Sequence, residues 1–421
     1  MIRWLDLAHG CRLPGILLAL IVLSVATFGC TPPASSPLAA NLAADQMVGK
    51  KLVLGSPSLT AGIPGTGPLT IPEIQRWLAE PANHQPLEVA LPLGLRAAEF
   101  SLPADNPLTR AKIELGRQLY FDPRLSKNQH QACITCHQPL KRFASDPLVH
   151  PRLRETAAGF NRLLGGEQFW DGRAKSLEEQ IRFTVEHPDE MDTTQAECVR
   201  QISEVEGYRL QFAAIFGRLD FAAICQAIAS FERTIVTGPS RWDYHVELER
   251  LETLRGTKDF DPNYYAAIQQ AVEREPLSAA AKRGSQLFFS SQLDCSRCHS
   301  GPNFTDEKFH DIGLRQQVPT TFTVRKEADD LGRYPVTKRE EDRYAFKTPT
   351  LRNVEITTPY MHDGRFETLE GTLDFFSRGG DISNPGIHPL RLTEGETRDL
   401  VEFLKSLTSD VPQPADRLPE K

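Results

Sequence analysis

Two short segments of the sequence each combine a pair of cysteines with an adjoining histidine. Residues 133–137 read Cys-Ile-Thr-Cys-His, and residues 295–299 read Cys-Ser-Arg-Cys-His. Cysteines at this spacing are typical of three kinds of site: half of a zinc site, a redox-active dithiol, or the covalent anchor of a c-type haem. In a haem anchor, one helical turn brings both sulfurs to the two vinyl groups, and the histidine binds one face of the iron.

The surroundings of the two motifs argue against the first two kinds of site. A structural zinc site needs four ligands close together, whereas a large part of the chain separates the two cysteine pairs. A thioredoxin-like dithiol would need a βαβ setting, which the sequence lacks. We therefore predict two covalently bound haems c. The thioether residues are Cys133 and Cys136 for the first haem and Cys295 and Cys298 for the second, and the proximal iron ligands are His137 and His299.

Each motif follows a similar helical segment, so the sequence contains an internal repeat. The segment 108–121 reads LTRAKIELGRQLYF, and the segment 277–289 reads LSAAAKRGSQLFF. Each begins with Leu and then Thr or Ser, which are good N-caps, and each carries a glycine, Gly116 or Gly284. A glycine inside a helix costs about 1 kcal/mol relative to alanine, so the matched glycines predict close approach of another group. The repeat predicts two domains of one type.

Helical periodicity dominates the rest of the chain, and capping boxes are predicted at Ser176 with Glu179 and at Thr393 with Glu396. We predict a mainly α fold with two cytochrome c-like haem domains and an N-terminal extension. The first domain covers residues 96–270 and carries the first haem; the second covers residues 271–412 and carries the second haem. Residues 31–95, rich in Pro, Gly, Ser and Ala, predict a low-complexity linker or loosely draped extension with one short helix around PEIQRWLAE.

Residues 1–30 have the pattern of an export signal. Arginines precede an apolar run that is short for a membrane span and ends in small residues. Cys30, followed by TPPASSP, resembles a bacterial lipoprotein junction; lipid attachment at Cys30, cleavage nearby and an uncleaved anchor are the alternatives. We predict a periplasmic protein whose membrane link, if it has one, is a lipid at Cys30. The net charge of −7 argues against nucleic acid as a partner.

Cys198 and Cys225 lie outside the haem motifs. In an exported protein these two cysteines form a disulfide or stay as buried free thiols, and the sequence does not choose between the two.

Two longer blocks resemble the bacterial dihaem cytochrome c peroxidase family, which includes the MauG-type enzymes. The blocks are FNRLLGGEQFWDGRAKSLEEQIRFTVEHPDEM and FKTPTLRNVEITTPYMHDGRFETLE, and the resemblance covers about residues 96–410. It implies that Trp170 relays electrons between the haems, and that Gln180 and Glu190 lie over the peroxide-binding first haem. Glu190 would carry a proton between the peroxide oxygens. Independently, Pro188 should end the helix that begins at Ser176, so that Glu190 projects from a loop.

The resemblance also implies two further features. Some members have a distal histidine on the loop before these blocks; His150 is the candidate here, and a surface histidine is the alternative. Members bind calcium between the haems, and Glu155, Thr357 and Pro359 occupy the ligand positions. A carboxylate is an acceptable ligand for this cation, although an ion pair of Glu155 with a neighbouring arginine is the alternative.

One position departs from the family pattern. The distal ligand of the second haem, methionine or tyrosine in the family, falls on Phe376, which has no donor atom. The second haem is then five-coordinate, water-ligated, or bound by another side chain, for which Tyr344, Tyr360 and His388 are unranked candidates.

The function predicted from these residues is reduction of hydrogen peroxide with electrons from a donor protein, a small cytochrome or a cupredoxin. Two alternatives stay open: a MauG-type oxidase that uses peroxide to modify a partner protein, and a dihaem electron carrier without catalytic activity. A carrier normally fills both axial positions of its irons, whereas a catalyst leaves one face open. A homodimer is a candidate assembly.

Overall fold

The computed structural model describes residues 47–48, 51–141, 143–144, 154–315, 330–382 and 387–420. Two candidates of the sequence analysis, Cys30 and His150, lie outside these residues, as does the predicted export segment 1–30. The described part of the chain is mostly helical and contains two small sheets. The prediction of a mainly α fold is confirmed.

The α-helices follow one another along the whole described chain. In order they are α1 (Pro57–Thr60), α2 (Ile71–Ala79), α3 (Arg110–Phe121), α4 (Cys133–Cys136), α5 (Leu177–Glu186), α6 (Gln195–Ser203), α7 (Glu206–Phe216), α8 (Phe221–Glu232), α9 (Arg241–Leu254), α10 (Pro262–Arg274), α11 (Ala279–Phe288), α12 (Tyr334–Thr337), α13 (Leu369–Arg378) and α14 (Glu394–Lys405). Among the described residues no single helix is both long and apolar enough to cross a membrane, and the bent pair α7 and α8 meets that criterion only when taken together.

The sheets are short. In the first sheet, β1 (Met47–Val48) pairs antiparallel with β2 (Lys51–Val53), and β2 pairs in parallel with β3 (Val89–Ala90), with Leu52 opposite Val89. In the second sheet, β4 (Phe309–His310) pairs antiparallel with β5 (Phe346–Lys347), with His310 opposite Phe346. The strand β4 follows the second cysteine motif in the sequence, and its pairing with β5 joins this region to residues 346–347.

Two large hydrophobic cores hold most of the helices, and a smaller third cluster of Ile63, Leu69 and Ile74 includes a residue of α2. The first core draws on α3 and on α5 to α8, and the second draws on α11, α13 and α14. The parts of the chain built on these cores are termed the first half and the second half. Two cores agree with two domains of one type, while the boundary at residues 270 and 271 stays a prediction.

The repeated glycines mark the closest helix contact in each half. A Cβ atom added to Gly116 of α3 would lie 1.9 Å from the carbonyl oxygen of Ala227 in α8. A Cβ atom added to Gly284 of α11 would lie 1.9 Å from the carbonyl oxygen of Asp399 in α14. Any larger side chain would force the two helices apart, so the predicted close approach is confirmed at both positions.

A second repeated stretch follows in each half. The sequence Trp-Asp-Gly-Arg at 170–173 matches His-Asp-Gly-Arg at 362–365, and the residue before each stretch has a left-handed backbone, with φ 67° at Phe169 and 71° at Met361. Each stretch leads into a helix, α5 or α13, whose N-cap side chain is Ser176 or Thr368. The two halves therefore share their fold well beyond the haem motifs.

The two predicted capping boxes form to different extents. At Thr393 the box is complete, because Glu396 Oε2 accepts hydrogen bonds from the backbone N–H and hydroxyl of Thr393. At Ser176 only half of it forms: Ser176 Oγ accepts from the N–H of Glu179, but the Glu179 carboxylate accepts from the N–H of Lys175. Although its capping box is incomplete, the helix α5 begins just after Ser176, as predicted.

The segment 51–95 packs more tightly than its composition suggests. Leu54, Leu91 and Leu95 are buried in the first core, and the predicted helix around PEIQRWLAE is α2. Arg417, near the C-terminus, donates hydrogen bonds to backbone carbonyls between residues 63 and 68. Residues 51–95 are therefore packed against the rest of the protein and are not a loosely draped extension.

Cys198 and Cys225 are both buried, and neither forms a disulfide. The Sγ atom of Cys198 lies 3.5 Å from the carbonyl oxygen of Leu125, and burial raises the pKa of the Cys198 thiol to about 12. Of the two alternatives, the structure has the buried free thiols.

Candidate active site and haem sites

The two proximal histidines are held in the same way. His137 Nδ1 lies 3.2 Å from the carbonyl oxygen of Phe143, and His299 Nδ1 lies 3.1 Å from the carbonyl oxygen of Phe304. Both phenylalanines have a left-handed backbone, with φ 60° and 51°. A carbonyl oxygen only accepts hydrogen bonds, so Nδ1 carries the proton and Nε2 is the atom available to an iron.

The cysteines lie on one tight turn of helix in each motif. Cys133 and Cys136 are the first and last residues of α4, and Cys295 begins a 3-10 turn that ends just before Cys298. All four are half-buried free thiols. Burial raises the pKa of Cys133 and of Cys295, which is the behaviour of sulfurs in an apolar crevice.

These donor sets fit two haems c. The ring of His137 is closely packed, because a Cβ atom added to Gly159 would lie 3.1 Å from His137 Nδ1. Burial also lowers the pKa of His299, which favours the neutral imidazole that binds iron. Cys298, Asp306 and His310 offer ligand atoms within 4.8 Å of one another, but Cys298 is a haem-attachment residue, so we assign no separate metal site there.

Trp170 lies where the two halves meet. Its Nε1–H donates a hydrogen bond of 2.7 Å to the carbonyl oxygen of Glu155, and its own carbonyl oxygen accepts one of 2.8 Å from the N–H of Lys347 in the second half. Its indole ring meets the ring of His362 edge-on, with centroids 6.5 Å apart. His362 in turn stacks on Phe346 at 3.5 Å. The predicted relay residue is thus in direct ring contact with the second half.

His362 is neutral at neutral pH. Burial lowers its pKa to about 4, against the smaller opposing effects of the nearby carboxylates of Asp363 and Asp330. The side chain is 5% exposed. A neutral ring between Trp170 and Phe346 gives an unbroken aromatic contact from one half to the other.

Charged side chains surround this contact. Arg154 bonds both Asp171 of the first half and Asp330 of the second, each at 2.7 Å. Lys347 is buried, lies 2.7 Å from Glu307, and has its pKa lowered to about 8 by burial. The pairs of Arg154 connect the two halves at the level of Trp170, whereas the pair of Lys347 lies within the second half.

Gln180 and Glu190 belong to one helix and the turn after it. Gln180 Nε2 donates a hydrogen bond of 3.0 Å to Thr184 Oγ1, and the carbonyl of Thr184 accepts one from the N–H of Met191, next to Glu190. The helix α5 ends at Glu186, and Glu190 lies in the turn after Pro188, as the sequence indicates. Both side chains are half-buried. The structure connects the two predicted distal residues; their catalytic roles stay predictions.

Two of the three calcium candidates, Glu155 and Pro359, lie beside Gly364. A Cβ atom added to Gly364 would lie 3.1 Å from Pro359 Cγ and 3.2 Å from Glu155 Oε2, and Thr357 precedes Pro359 by two residues. The alternative is an ion pair of Glu155 with a neighbouring arginine, and the ion pairs that the structure shows for Arg154 are with Asp171 and Asp330. Carboxylate and carbonyl oxygens suit a hard cation, so these residues fit calcium chemically.

The candidates for the second haem's distal ligand fall in different places. Tyr360 is buried in the second core, its hydroxyl lies 3.5 Å from the carbonyl of Glu355, and burial raises its pKa to about 12. Tyr344 lies under the guanidinium of Arg315, and His388 is exposed. None of the three is brought to Phe376 by a contact found among the described residues.

Phe376 has an equivalent in the first half. Counted from the starts of α13 and α5, Phe376 matches Thr184, the residue that holds Gln180. Because Gln180 is the predicted distal residue of the first haem, this match supports a place for Phe376 on the distal side of the second.

Comparisons with known proteins agree with this geometry. The sequence profile described as di-haem cytochrome c peroxidase matches residues 110–250. The methylamine utilization protein MauG of Methylorubrum extorquens is 36% identical over 324 residues, which are 73% of this chain and 81% of that protein. The chain belongs to the dihaem cytochrome c peroxidase and MauG family. It is a peroxidase-type oxidoreductase with two haems c.

Other members of the family are similar over the same extent. The cytochrome c551 peroxidase of Nitrosomonas europaea is 32% identical over 326 residues, which are 75% of this chain and 85% of that protein. The crystal structure of a MauG-like protein associated with microbial copper homeostasis is 26% identical, covers 74% of this chain and 93% of its own, and has a TM-score of 0.60. The dihaem peroxidase BthA from Burkholderia thailandensis, 23% identical with a TM-score of 0.57, shares the fold.

Sequence reasoning missed His362 as a partner of Trp170. The signal was present, because Asp-Gly-Arg follows both residues. It was not read as a continuation of the repeat, because the first repeat ends at the cysteine motifs and different loop lengths intervene before the second.

Proposed function

We propose that the protein reduces hydrogen peroxide to water at the haem of Cys133, Cys136 and His137, with electrons that arrive from a donor protein through the second haem. The observation that supports electron passage between the two haem sites is the ring contact between Trp170 and His362 at the junction of the two halves. A small cytochrome or a cupredoxin is the proposed donor.

When bound by Cys133, Cys136 and His137, the haem would supply the iron chemistry by which peroxide is reduced. Glu190 is the proposed proton carrier, because its carboxyl follows a helix end and is only half-buried. A carboxyl at hydrogen-bond distance can take the proton from one peroxide oxygen and deliver it to the other. Gln180 is the proposed orienting group, since Thr184 fixes the position of its amide.

Trp170 is the proposed electron relay. The hydrogen bond from Nε1 to the carbonyl of Glu155 orients the indole, and the bond from the Lys347 N–H to the Trp170 carbonyl ties its backbone to the second half. An electron that passes from the second half meets the rings of Phe346 and His362 before it reaches this indole.

A second candidate function is oxidation of a partner protein by peroxide. Phe376, which has no donor atom, supports it, because methionine ligation would raise the potential of the second haem and favour electron storage. The similarity to the MauG protein of Methylorubrum extorquens supports it as well.

We also propose a calcium ion at Glu155, Thr357 and Pro359, export to the periplasm, and a lipid at Cys30 as the candidate anchor. Mass spectrometry of the protein isolated from its host would give the N-terminal residue and any lipid on it. An unmodified N-terminus at Met1 would contradict export with cleavage.

The proposed peroxidase activity is tested by peroxide consumption with a reduced small cytochrome as donor. The expected stoichiometry is two electrons from the donor per peroxide. In the Glu190→Gln variant we expect kcat/KM for peroxide to fall about 100-fold or more, since proton transfer by a placed carboxyl contributes about 10²- to 10⁴-fold. The control is Glu186→Gln, an exposed position at the end of the same helix.

Three outcomes separate the candidates. Donor oxidation that depends on peroxide and on Glu190 supports the peroxidase. Peroxide consumption without donor oxidation, but with a covalent change in a partner protein, supports the second candidate. No peroxide consumption by the protein loaded with both haems contradicts both and leaves an electron carrier.

A further inference from the structure

The repeat allows positions in the two halves to be compared one by one. A Cβ atom added to Gly116 would lie 3.0 Å from Phe231 Cβ, and one added to Gly284 would lie 2.9 Å from Phe403 Cβ. Phe231 and Phe403 are therefore equivalent, and so are the residues that follow them, Glu232 in α8 and Leu404 in α14.

These equivalent residues differ in polarity. Leu404 is 7% exposed and belongs to the second core. Glu232 places a carboxyl group at the same position of the first half. Its Oε2 atom is buried and has no hydrogen-bond partner among the described residues. The second half shows that the fold accepts a leucine here, so packing does not require the carboxyl group.

Glu232 as a residue is half-buried, and no ion pair to its carboxyl is found among the described residues. The neighbouring Arg233 is directed at Glu178, with two hydrogen bonds of 2.9 Å to its carboxylate oxygens. Arg162, the other cation that acts on Glu232, donates from Nε to Gln168. An unpaired buried carboxylate is costly, and a group in that position is held in its neutral form instead.

Glu232 lies near the first haem motif, because the ring of the preceding Phe231 contacts that of Tyr120 at 5.1 Å. Tyr120 in turn contacts the ring of Phe143, whose carbonyl oxygen lies 3.2 Å from His137 Nδ1. After burial itself, the charge of Glu232 is the main reason why the pKa of Cys133 is raised. Tyr120 of α3 is fully buried, and after burial itself the charges of Cys133 and Glu232 also raise the pKa of its hydroxyl. Its equivalent in the second half is Phe288. The crevice of the first haem thus has two polar groups where the second has Phe288 and Leu404.

We propose that Glu232 takes up a proton when the haem bound to Cys133 and Cys136 gains an electron. The inference deepens the proposed function, because that haem accepts electrons in the peroxidase cycle. The electron comes from the donor protein and the proton from water: the ferric haem and the Glu232 carboxylate become the ferrous haem and the carboxylic acid. The net charge of the crevice stays the same.

The charges around Glu232 are consistent with this step. Burial raises its pKa to about 8, and the positive charges of Arg233 and Arg162 oppose the rise while Glu178 adds to it. A ferric haem carries one more positive charge than a ferrous haem, so it favours the carboxylate and the ferrous haem favours the acid. The ionisable groups coupled electrostatically to Glu232 are Tyr120 from α3, Cys133 from α4, Glu178 from α5, Cys225 from α8, Arg233 just after α8, and Arg162.

The test is a redox titration of both haems of the intact protein, followed by visible absorbance between pH 6 and pH 9. We expect the midpoint potential of the first haem to fall as the pH rises, because reduction takes up a proton. One proton per electron is a tenfold change in the equilibrium per pH unit, or about 59 mV. In Glu232→Gln, which keeps the shape but does not ionise, the potential of the first haem should become at least threefold less sensitive to pH.

A second variant guards against a folding defect. Glu232→Leu copies the second half, and it should load both haems and show the same flat response. The second haem serves as the internal control, since its pH response should not change in either variant. Absorbance after reduction gives the haem content of each preparation.

Two results would overturn the inference: a first-haem potential that does not depend on pH in the wild type, or an equal dependence in wild type and both variants. The redox titrations of the wild type and of both variants use no peroxide. Failure of the peroxide assay with a clear pH response at Glu232 would therefore contradict the proposed function and leave this inference standing.

Discussion

Trp170 and His362 occupy equivalent positions in the two halves of the chain, and their rings contact each other edge-on at 6.5 Å. Each is followed by Asp-Gly-Arg, and each is preceded by a residue with a left-handed backbone. The contact between the halves is thus made by the same position of the repeat from both sides. One position carries an indole and the other a buried neutral imidazole.

Replacement of Trp170 by phenylalanine should slow electron transfer between the haems. The substitution keeps an aromatic ring but removes the hydrogen bond from Nε1 to the carbonyl of Glu155, worth about 1 kcal/mol. In a rapid-mixing experiment with a reduced donor, we expect the second haem to be reduced at the normal rate and the first at least tenfold more slowly. Trp242→Phe, at the edge of the second core, is the matched control and should change neither rate. Equal rates in wild type and Trp170→Phe would contradict the relay.

Alanine at Gly116 should destabilise the first half strongly. The added Cβ would lie 1.9 Å from a backbone oxygen of α8, so the two helices must separate and their packing is lost. We expect a loss of about 3 kcal/mol or more in the free energy of unfolding, measured with denaturant. Gly395→Ala is the control, because an added Cβ there has its nearest neighbour at 3.9 Å in a helix. That variant should be neutral or more stable by up to about 1 kcal/mol.

The stability of the protein should fall in acid because of His362. Its pKa is about 4 in the folded protein and about 6.5 in the unfolded chain, so the unfolded chain binds more protons between these values. The contribution of His362 is complete above pH 6.5 and is lost as the pH falls through about 4, with a size on the order of 3 kcal/mol. Denaturant titrations between pH 7.5 and pH 4 should show a smaller loss in His362→Phe than in the wild type. His388→Phe, at an exposed position, should lose as much stability as the wild type does.

A methionine at Phe376 should bind the second haem. Phe376 matches Thr184, which bonds Gln180, the predicted distal residue of the first haem, so a thioether at position 376 is expected to face the second iron. We expect the ferric protein to gain the absorption band of methionine ligation and the midpoint potential of the second haem to rise. Phe375→Met, at the fully buried neighbouring position, should cause neither change. Identical spectra of Phe376→Met and the wild type would place Phe376 away from the iron.

Local sequence signals predicted the elements that depend on neighbouring residues. The haem motifs, the N-caps at Ser176 and Thr393 and the end of α5 near Pro188 all involve contacts within a few residues. The matched glycines predicted close packing but not its partners, because Ala227 and Asp399 lie more than a hundred residues further along the chain in each half.

The features that the sequence did not predict depend on distant parts of the chain. The packing of residues 51–95 rests partly on Arg417, whose guanidinium bonds backbone carbonyls that no sequence pattern marks. Glu232 resembles an ordinary acidic residue at the end of a helix. Its burial becomes visible only when α3, α4 and α8 are seen together, and its difference from Leu404 only when the two halves are aligned in space.

The contacts of the C-terminal segment have a consequence for synthesis of the protein on the ribosome. Val411 and Leu418 pack on the first core, and Arg117 of α3 bonds the carbonyls of Ala415 and Arg417. The first half therefore lacks part of its native structure until residues 411–418 have been made. By that time the whole second half has been synthesised and can fold. A stop codon just before residue 411 would therefore destabilise the first half, although the first half is synthesised earlier.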